Sequence, residues 1–153
     1  MSTITPLLAL ENIVLDLEAS SKKRVFEHVG LLFENHQGIA RNVVFDSLFA
    51  REKLGSTGLG RGVAIPHGRI KGLKEARGAF VRLTTPIPFD APDGLPVSLL
   101  FVLLVPEQAT EQHLQILSEL AERFSDSHCR DALCTADSAT MIYQLLDASL
   151  TKK

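Results

Sequence analysis

The feature that most constrains the fold is a run of nine residues, Val97 to Val105, which is apolar at every position except Ser98. Such a run is typical of a central strand that is covered on both faces, because a half-exposed strand would alternate polar and apolar side chains. It is about half the length that a membrane-spanning helix needs. We therefore expect a sheet with helices packed against both of its faces.

The rest of the chain supplies elements for such a fold. Ser20 and Ser21 are both candidate N-caps of a helix. Apolar residues then recur at helical spacing up to Gly38, a typical residue at a helix C-terminus. Strands and helices interleave along the sequence, which predicts the α/β class with helices on both faces of the sheet, in one domain spanning residues 1–153. The other predicted strands are 13–17, 63–65 and 79–83, and the other predicted helices are 39–53, a helix starting after Thr110, 126–133 and 138–148.

Composition excludes several classes of function. The net charge is −2, both signs are mixed along the chain, and Trp is absent, so nothing indicates a nucleic-acid-binding surface. No basic N-terminal segment precedes an apolar core, as it would in a signal peptide. We expect a cytoplasmic protein that does not insert into a membrane.

A glycine-rich loop is the first candidate site. Four glycines fall within the eight residues from Gly55 to Gly62. Main-chain N–H groups in such loops can converge on a phosphate. A Walker A loop would end in Gly-Lys-Ser/Thr, and a dinucleotide-binding loop would follow a strand and open a helix, so both are excluded. A tight turn without a ligand remains open.

His67 is the candidate nucleophile. It follows a short apolar strand that Pro66 ends, and Gly68 leaves little bulk beside it. Neutral imidazole is nucleophilic near neutral pH. Two further residues support an anion site. His113 lies on the apolar face of a predicted helix, in its first turn, and Arg51 precedes the glycine loop, where a guanidinium can donate two parallel hydrogen bonds to a phosphoryl group.

Each of these residues also has a plain structural alternative. His113 fits a buried histidine bonded to the main chain, and Arg51 fits a cation at a helix C-terminus. Arg61 and Arg69 are interpreted as rim charges for docking a partner. If another protein docks at this site, apolar side chains should surround it. Leu59 and Ile70 are the candidates, and ordinary packing is equally compatible with them.

Five segments resemble the type-2 enzyme IIA family of the bacterial phosphoenolpyruvate-dependent phosphotransferase system, and more closely its nitrogen-regulatory branch. They keep their order and span most of the chain. Phe89 to Val97 also fits that branch. The five segments are Ser20 to Arg24, Arg51 to Gly60, Val63 to Arg69, Leu103 to Glu107 and His113 to Leu117.

The resemblance implies a mixed sheet flanked by helices and a role for each motif residue. It implies that His67 is phosphorylated, with Arg51 and His113 completing the active site. It further implies a phosphoryl-binding loop with Thr57, Gly58 and Gly68, and no metal or cofactor. The implied donor is an HPr-type phosphocarrier with its own upstream kinase, and the implied targets are regulatory, such as potassium transporters or sensor kinases.

Alternatives remain open. A metal-dependent hydrolase using His67 and His113 would need a third ligand, which no spacing supplies. A sugar-specific IIA would pass the phosphoryl group to a IIB component. In a purely regulatory module, phosphorylation would only change which proteins bind. The sequence does not indicate the oligomeric state, the downstream target or the ring nitrogen that is modified.

Overall fold

The computed structural model describes residues 4–108 and 111–148, and a sheet of six strands with five helices lies within these ranges. The strands are Leu8–Leu17 (β1), Gly58–Gly60 (β2), Val63–Ala64 (β3), His67–Ile70 (β4), Arg77–Ile87 (β5) and Val97–Pro106 (β6). The helices are Lys22–Gln37 (α1), Arg41–Glu52 (α2), Glu111–Ser125 (α3), Ser127–Thr135 (α4) and Ala139–Ala148 (α5).

The apolar run forms β6, the central strand. Antiparallel β5 lies on one side of it, with β1 beyond β5 and parallel to it. On the other side β3 and β4 both pair with β6 in the parallel sense, and β2 is antiparallel to β3. The sheet is therefore mixed, as the resemblance implied.

Both faces of β6 are buried, which confirms the α/β prediction. Alternate side chains point to opposite faces of a strand. One set packs with apolar residues of α3, α4 and α5, and the other packs under α1 and α2. No helix in the described ranges is long and apolar enough to cross a membrane. The first set is Leu99, Phe101, Leu103 and Val105, and the second is Leu100, Val102 and Leu104.

The predicted ends of α1 are confirmed. The Ser21 hydroxyl accepts a hydrogen bond from the Arg24 amide at 3.2 Å, which satisfies one of the free N–H groups of the first turn. Gly38 has φ of 71° and closes the helix in the left-handed conformation. The polar cap and the glycine thus define α1 at both ends.

The predicted end of a strand at Pro66 is wrong in one respect. Pairing is interrupted at Ile65 and Pro66 but resumes in the same register, with Ala64 opposite Leu100 and His67 opposite Leu103. Proline has no N–H to donate, yet its carbonyl accepts from the Leu103 amide at 2.9 Å. His67 therefore begins a second strand instead of following the last one.

Other elements differ from prediction for local reasons. β1 begins at Leu8 rather than at the predicted Ile13. Between these residues its register against β5 is irregular and its side chains do not alternate, so the sequence pattern did not reveal this part of the strand. The glycine loop contains β2. In α3 the predicted face is buried at His113, Leu120 and Phe124, but Leu114 beside it is exposed and Ile116 is buried on the other side. The predicted start of that helix, Thr110, lies outside the described residues.

Arg82 joins the sheet to the helices on one face. Its side chain is 11% exposed, and its Nη1 reaches the carbonyl oxygens of Leu133, Cys134 and Ala136 at 3.0, 3.2 and 2.6 Å. Its Nη2 also donates to the exposed Asp16 carboxylate at 3.2 Å. The guanidinium thereby satisfies carbonyls at the C-terminal end of α4, which have no donors within the helix.

We expect R82M to lower the free energy of unfolding by about 2–4 kcal/mol, because buried carbonyls lose their donor. D16N removes only the contact to an exposed carboxylate and should cost less than about 1 kcal/mol. Urea denaturation of both variants measures the difference. Equal stability of R82M and the wild type would show that these contacts contribute nothing.

Candidate active site

His67 opens onto a surface depression of about 600 Å³ between β4, α2 and α3. The depression forms where β4 is the edge of the sheet, so that side chains from the helices on both faces can reach it. Its described lining residues are Asp46, Ser47, Ala50, Arg51, Leu54, His67, Gly68, Arg69, Val105 and His113. The structure thus brings together His67, Arg51, His113, Gly68 and Arg69 from the predicted site.

The ring of His67 is fixed by its own strand connection. Its Nδ1 lies 2.8 Å from the carbonyl oxygen of Ile65. A carbonyl oxygen only accepts hydrogen bonds, so Nδ1 must donate and carries the hydrogen. In the neutral ring, the lone pair available to an incoming group is therefore on Nε2.

His113 faces His67 from the first turn of α3. The two ring centroids are 6.1 Å apart and the rings are inclined by 49°. His113 is 8% exposed, so its position on the apolar face of the helix buries it beside the depression, as the sequence pattern predicted. Both rings therefore line the same depression.

Arg51 reaches the depression from the last turn of α2. Its Nη1 donates to the Gly55 carbonyl at 2.9 Å, within the glycine-rich segment that follows the helix. Arg69, from β4, donates instead to the Glu107 carbonyl at 2.8 Å. Two cations therefore border the histidine from different elements, each oriented by a main-chain carbonyl.

The remaining predicted site residues lie elsewhere. Thr57 is buried, its hydroxyl bonds to Glu52, and neither Thr57 nor Gly58 is among the described lining residues. Leu59 is 44% exposed on β2, outside that lining. The expectation that Ile70 is an exposed docking residue is wrong, because it is 3% exposed and packs in the core beneath α2.

Arg61 lies away from this lining too. It occupies the turn between β2 and β3 with φ of 59°, and its amide donates to Asp93 at 2.7 Å. This turn is at the end of the sheet where β3 pairs with Leu99, whereas His67 pairs with Leu103. Any docking role of Arg61 would therefore need a partner that extends well beyond the depression.

Apart from Arg51, sequence reasoning missed the residues that α2 and the turn after it contribute. Leu54, just after the helix, is 83% exposed and lines the depression. It is the exposed apolar residue beside the site that had been predicted at Leu59 or Ile70. A Cβ on Gly68 would collide with Ser47 and lie 3.1 Å from its backbone carbonyl carbon. Gly68 therefore permits close packing of α2 on β4, a contact between distant segments that local sequence patterns do not reveal.

The pKa of His67 is lowered from its ordinary value of 6.5. Burial is the main cause, and the neighbouring Arg51 and His113 add to it. The hydrogen bond to Ile65 and the charge of Glu52 act in the opposite direction. The neutral, nucleophilic form of the imidazole is consequently favoured at neutral pH.

A lowered pKa makes stability depend on pH. The folded protein holds this proton less tightly than the unfolded chain, where histidine titrates near 6.5. The His67 contribution should therefore be constant above that pH and become unfavourable as the pH falls through it. We expect an NMR titration midpoint for His67 below 6.5, and a weaker loss of stability in acid for H67Q. A midpoint at or above 6.5 would contradict this.

The arrangement suits transfer of an anionic group to nitrogen. An available Nε2 lies in an open depression, with Arg51, Arg69 and His113 around it to face developing negative charge. Among the described residues, no three His, Cys, Asp or Glu side chains are grouped so that they could hold a metal ion.

Comparison with known proteins identifies the family of this chain and its similar relatives. Residues 6–149 match the family "Phosphoenolpyruvate-dependent sugar phosphotransferase system, EIIA 2". The "Nitrogen regulatory protein" of Pseudomonas aeruginosa is 44% identical over 144 residues, covering 94% of this chain and 91% of that protein. The one from Escherichia coli K12 is 44% identical over 131 residues, covering 85% and 80%. The crystal structure of Nitrogen Regulatory Protein IIA-Ntr from Neisseria meningitidis superposes with a TM-score of 0.91 at 56% identity, covering 95% and 99%.

Proposed function

We propose, since this chain belongs to the EIIA 2 family of the phosphoenolpyruvate-dependent sugar phosphotransferase system, that it accepts a phosphoryl group on His67 from an HPr-type phosphocarrier. Membership establishes a phosphoryl-carrier role in general, and its nitrogen-regulatory relatives agree with the branch that the motifs indicated. The acceptor residue, the donor, a cytoplasmic location and the regulatory output are the proposal.

The hydrogen bond from His67 Nδ1 to the Ile65 carbonyl carries the proposal. It leaves Nε2 as the acceptor atom. The Nε2 lone pair forms the new N–P bond while the N–P bond to the donor's phosphohistidine breaks, and that electron pair returns to the donor's imidazole nitrogen. No proton has to leave His67, because Nδ1 keeps its hydrogen throughout.

Arg51 and His113 supply the electrostatic part of the mechanism. Phosphoryl transfer proceeds through a loose, in-line transition state whose charge is spread over three oxygens. Arg51 needs only to exchange the Gly55 carbonyl for phosphoryl oxygens, since it already lines the depression. His113, 6.1 Å away between ring centroids, donates to a further oxygen. Loop amides are not needed in this account.

Docking requires an open and partly apolar site. Leu54 is exposed at the rim and Arg69 borders the depression, so a partner can place its own phosphohistidine directly over His67. Asp46 adds a negative charge from α2. The partner surface that fits therefore has its phosphohistidine at the centre, an apolar patch facing Leu54 and charges of both signs around them.

The regulatory output is the remaining part of the proposal. Phosphorylation at the centre of this surface adds a doubly negative phosphoryl group to a ring that becomes positive. The net change is about one negative charge, which changes the proteins that can bind there. Potassium transporters and sensor kinases are the proposed classes of target. The alternative is a sugar-specific IIA that passes the group to a IIB component.

Incubation with a phosphorylated HPr-type carrier tests the proposal. We expect one acid-labile phosphoryl group per chain by intact mass, and its removal when excess unphosphorylated carrier is added. No uptake from any HPr-type carrier would contradict the proposal. Efficient transfer onward to a IIB component would favour the sugar-specific alternative.

A further inference from the structure

We infer that the buried carboxylate of Glu52 is a positioning residue for His67, acting through a chain of hydrogen bonds that passes through the main chain of Thr57 and Ile65. The inference rests on the proposed function of His67, although its test does not require phosphorylation. Glu52 does not line the described depression and touches neither the acceptor nitrogen nor the entering group.

The chain has three consecutive hydrogen bonds. His67 Nδ1 donates to the Ile65 carbonyl at 2.8 Å. The Ile65 amide donates to the Thr57 carbonyl at 3.0 Å. The Thr57 amide donates to Glu52 Oε2 at 3.0 Å. The amide and the carbonyl of Ile65 belong to different peptide groups, and so do those of Thr57. The three bonds therefore position the His67 ring through the backbone of these two residues and do not form one polarised path.

The carboxylate at the end of the chain is firmly held. Its side chain is only 3% exposed, and Lys22 Nζ lies 2.9 Å from Oε2. The Thr57 hydroxyl donates to Oε1 at 2.7 Å. Lys22 is itself fixed, because its ammonium lies 4.4 Å from the centroid of the Phe89 ring and 3.4 Å from the Phe89 carbonyl. Three donors therefore hold Glu52 where the chain ends.

A buried ion pair of this kind is a poor way to gain stability, since removing both charges from water costs about as much as their attraction returns. An apolar pair would fill the same space. The position of Glu52 suggests a different benefit, because its negative charge favours positive charge on the His67 ring. Phosphorylation of Nε2 with retention of the Nδ1 hydrogen creates such charge, so Glu52 stabilises the phosphorylated ring relative to the free one.

The same segment orients Arg51. Residues 52–57 form a turn that the Glu52–Thr57 contacts close, and the Gly55 amide donates to the Glu52 carbonyl at 3.1 Å. The Gly55 carbonyl then receives the Arg51 guanidinium at 2.9 Å. One buried carboxylate is thus connected both to the nucleophile and to the cation beside it.

Titration of His67 provides a test without any phosphoryl donor. The charged and titratable groups around its ring are Arg51 and Asp46 from α2, Arg69 from β4, His113 from α3 and Glu52 behind it. Protonating Nε2 creates the same positive ring as phosphorylation does. A lower His67 midpoint after removal of the Glu52 charge would therefore report the same interaction that favours the phosphorylated ring.

The variant E52Q tests the effect on transfer. Glutamine keeps the shape but removes the charge, so we expect a lower His67 midpoint and a rate at saturating donor about 10-fold slower, the scale of one charge-assisted hydrogen bond. The donor concentration at half saturation should change little. R82M is the control: it is expected to be destabilised, but Arg82 takes no part in the hydrogen bonds between Glu52 and His67. Its His67 titration midpoint should therefore equal that of the wild type.

The outcomes separate this inference from the proposed function. A wild type that takes no phosphoryl group, with a His67 midpoint that is lower in E52Q, would refute the function and retain the role of Glu52. A phosphorylated wild type whose rate and His67 midpoint are both unchanged in E52Q would retain the function and refute the role of Glu52. If E52Q does not fold, T57V decides, because it removes the hydroxyl that donates to Glu52 Oε1, and an unchanged transfer rate in T57V would refute the inference.

Discussion

Replacing His67 with glutamine is expected to abolish phosphorylation by an HPr-type carrier. The glutamine amide can still donate to the Ile65 carbonyl, which His67 Nδ1 meets at 2.8 Å, so the local packing is preserved. An amide nitrogen has no available lone pair, however, and cannot form the N–P bond. Intact mass measured under alkaline conditions should show one phosphoryl group on the wild type and none on H67Q.

His113 gives the matched control for this experiment. H113Q removes the second ring of the depression but leaves the acceptor, so it should be phosphorylated more slowly and to the same final extent. His28, His36 and His128 remain in both variants as internal controls. Phosphorylation of H67Q to the wild-type level, or complete loss of phosphorylation in H113Q alone, would contradict the assignment of roles.

Replacing Arg51 with alanine is expected to slow transfer about 100-fold at saturating donor, the scale for losing one donor to developing oxyanion charge. The guanidinium lines the depression and gives up only the Gly55 carbonyl to bind phosphoryl oxygens. Its charge also disfavours protonation of His67, so the pKa of His67 should rise in R51A. Rapid-quench measurement of a single turnover gives the rate directly.

Two comparisons make the Arg51 result specific. R51K keeps the charge but loses the planar pair of donors, so its rate should lie between those of R51A and the wild type. R69A removes a rim cation and should raise the donor concentration at half saturation more than it lowers the saturating rate. If R51A transfers at the wild-type rate, Arg51 has no part in stabilising the transition state.

Local patterns predicted much of the fold. The apolar run identified β6 because burial on both faces removes the usual alternation, and the Ser21 and Gly38 caps defined α1 because each satisfies groups of its own helix end. Where the outcome depended on pairing between distant segments, prediction failed. β4 resumes after Pro66 only because β6 offers the Leu103 amide to the Pro66 carbonyl.

The candidate site shows the same division. His67, Arg51 and His113 were found because each is an unusual residue for its position in a local pattern. Ile70 was predicted at the surface because the sequence did not reveal that it lies on a paired strand, β4, and that its side chain packs in the core beneath α2. Glu52 and Ser47 were missed, since a buried carboxylate at a helix end and a serine against Gly68 have ordinary sequence neighbours. Their contacts exist only after α2 has packed on the sheet.

The acceptor atom is the most direct test of the mechanism. Protein labelled with ¹⁵N at histidine and phosphorylated by the carrier should show phosphorus coupled to His67 Nε2, while Nδ1 keeps its hydrogen and its bond to the Ile65 carbonyl. Phosphorus coupled to His67 Nδ1, or to a nitrogen of any other histidine, would contradict the proposed mechanism.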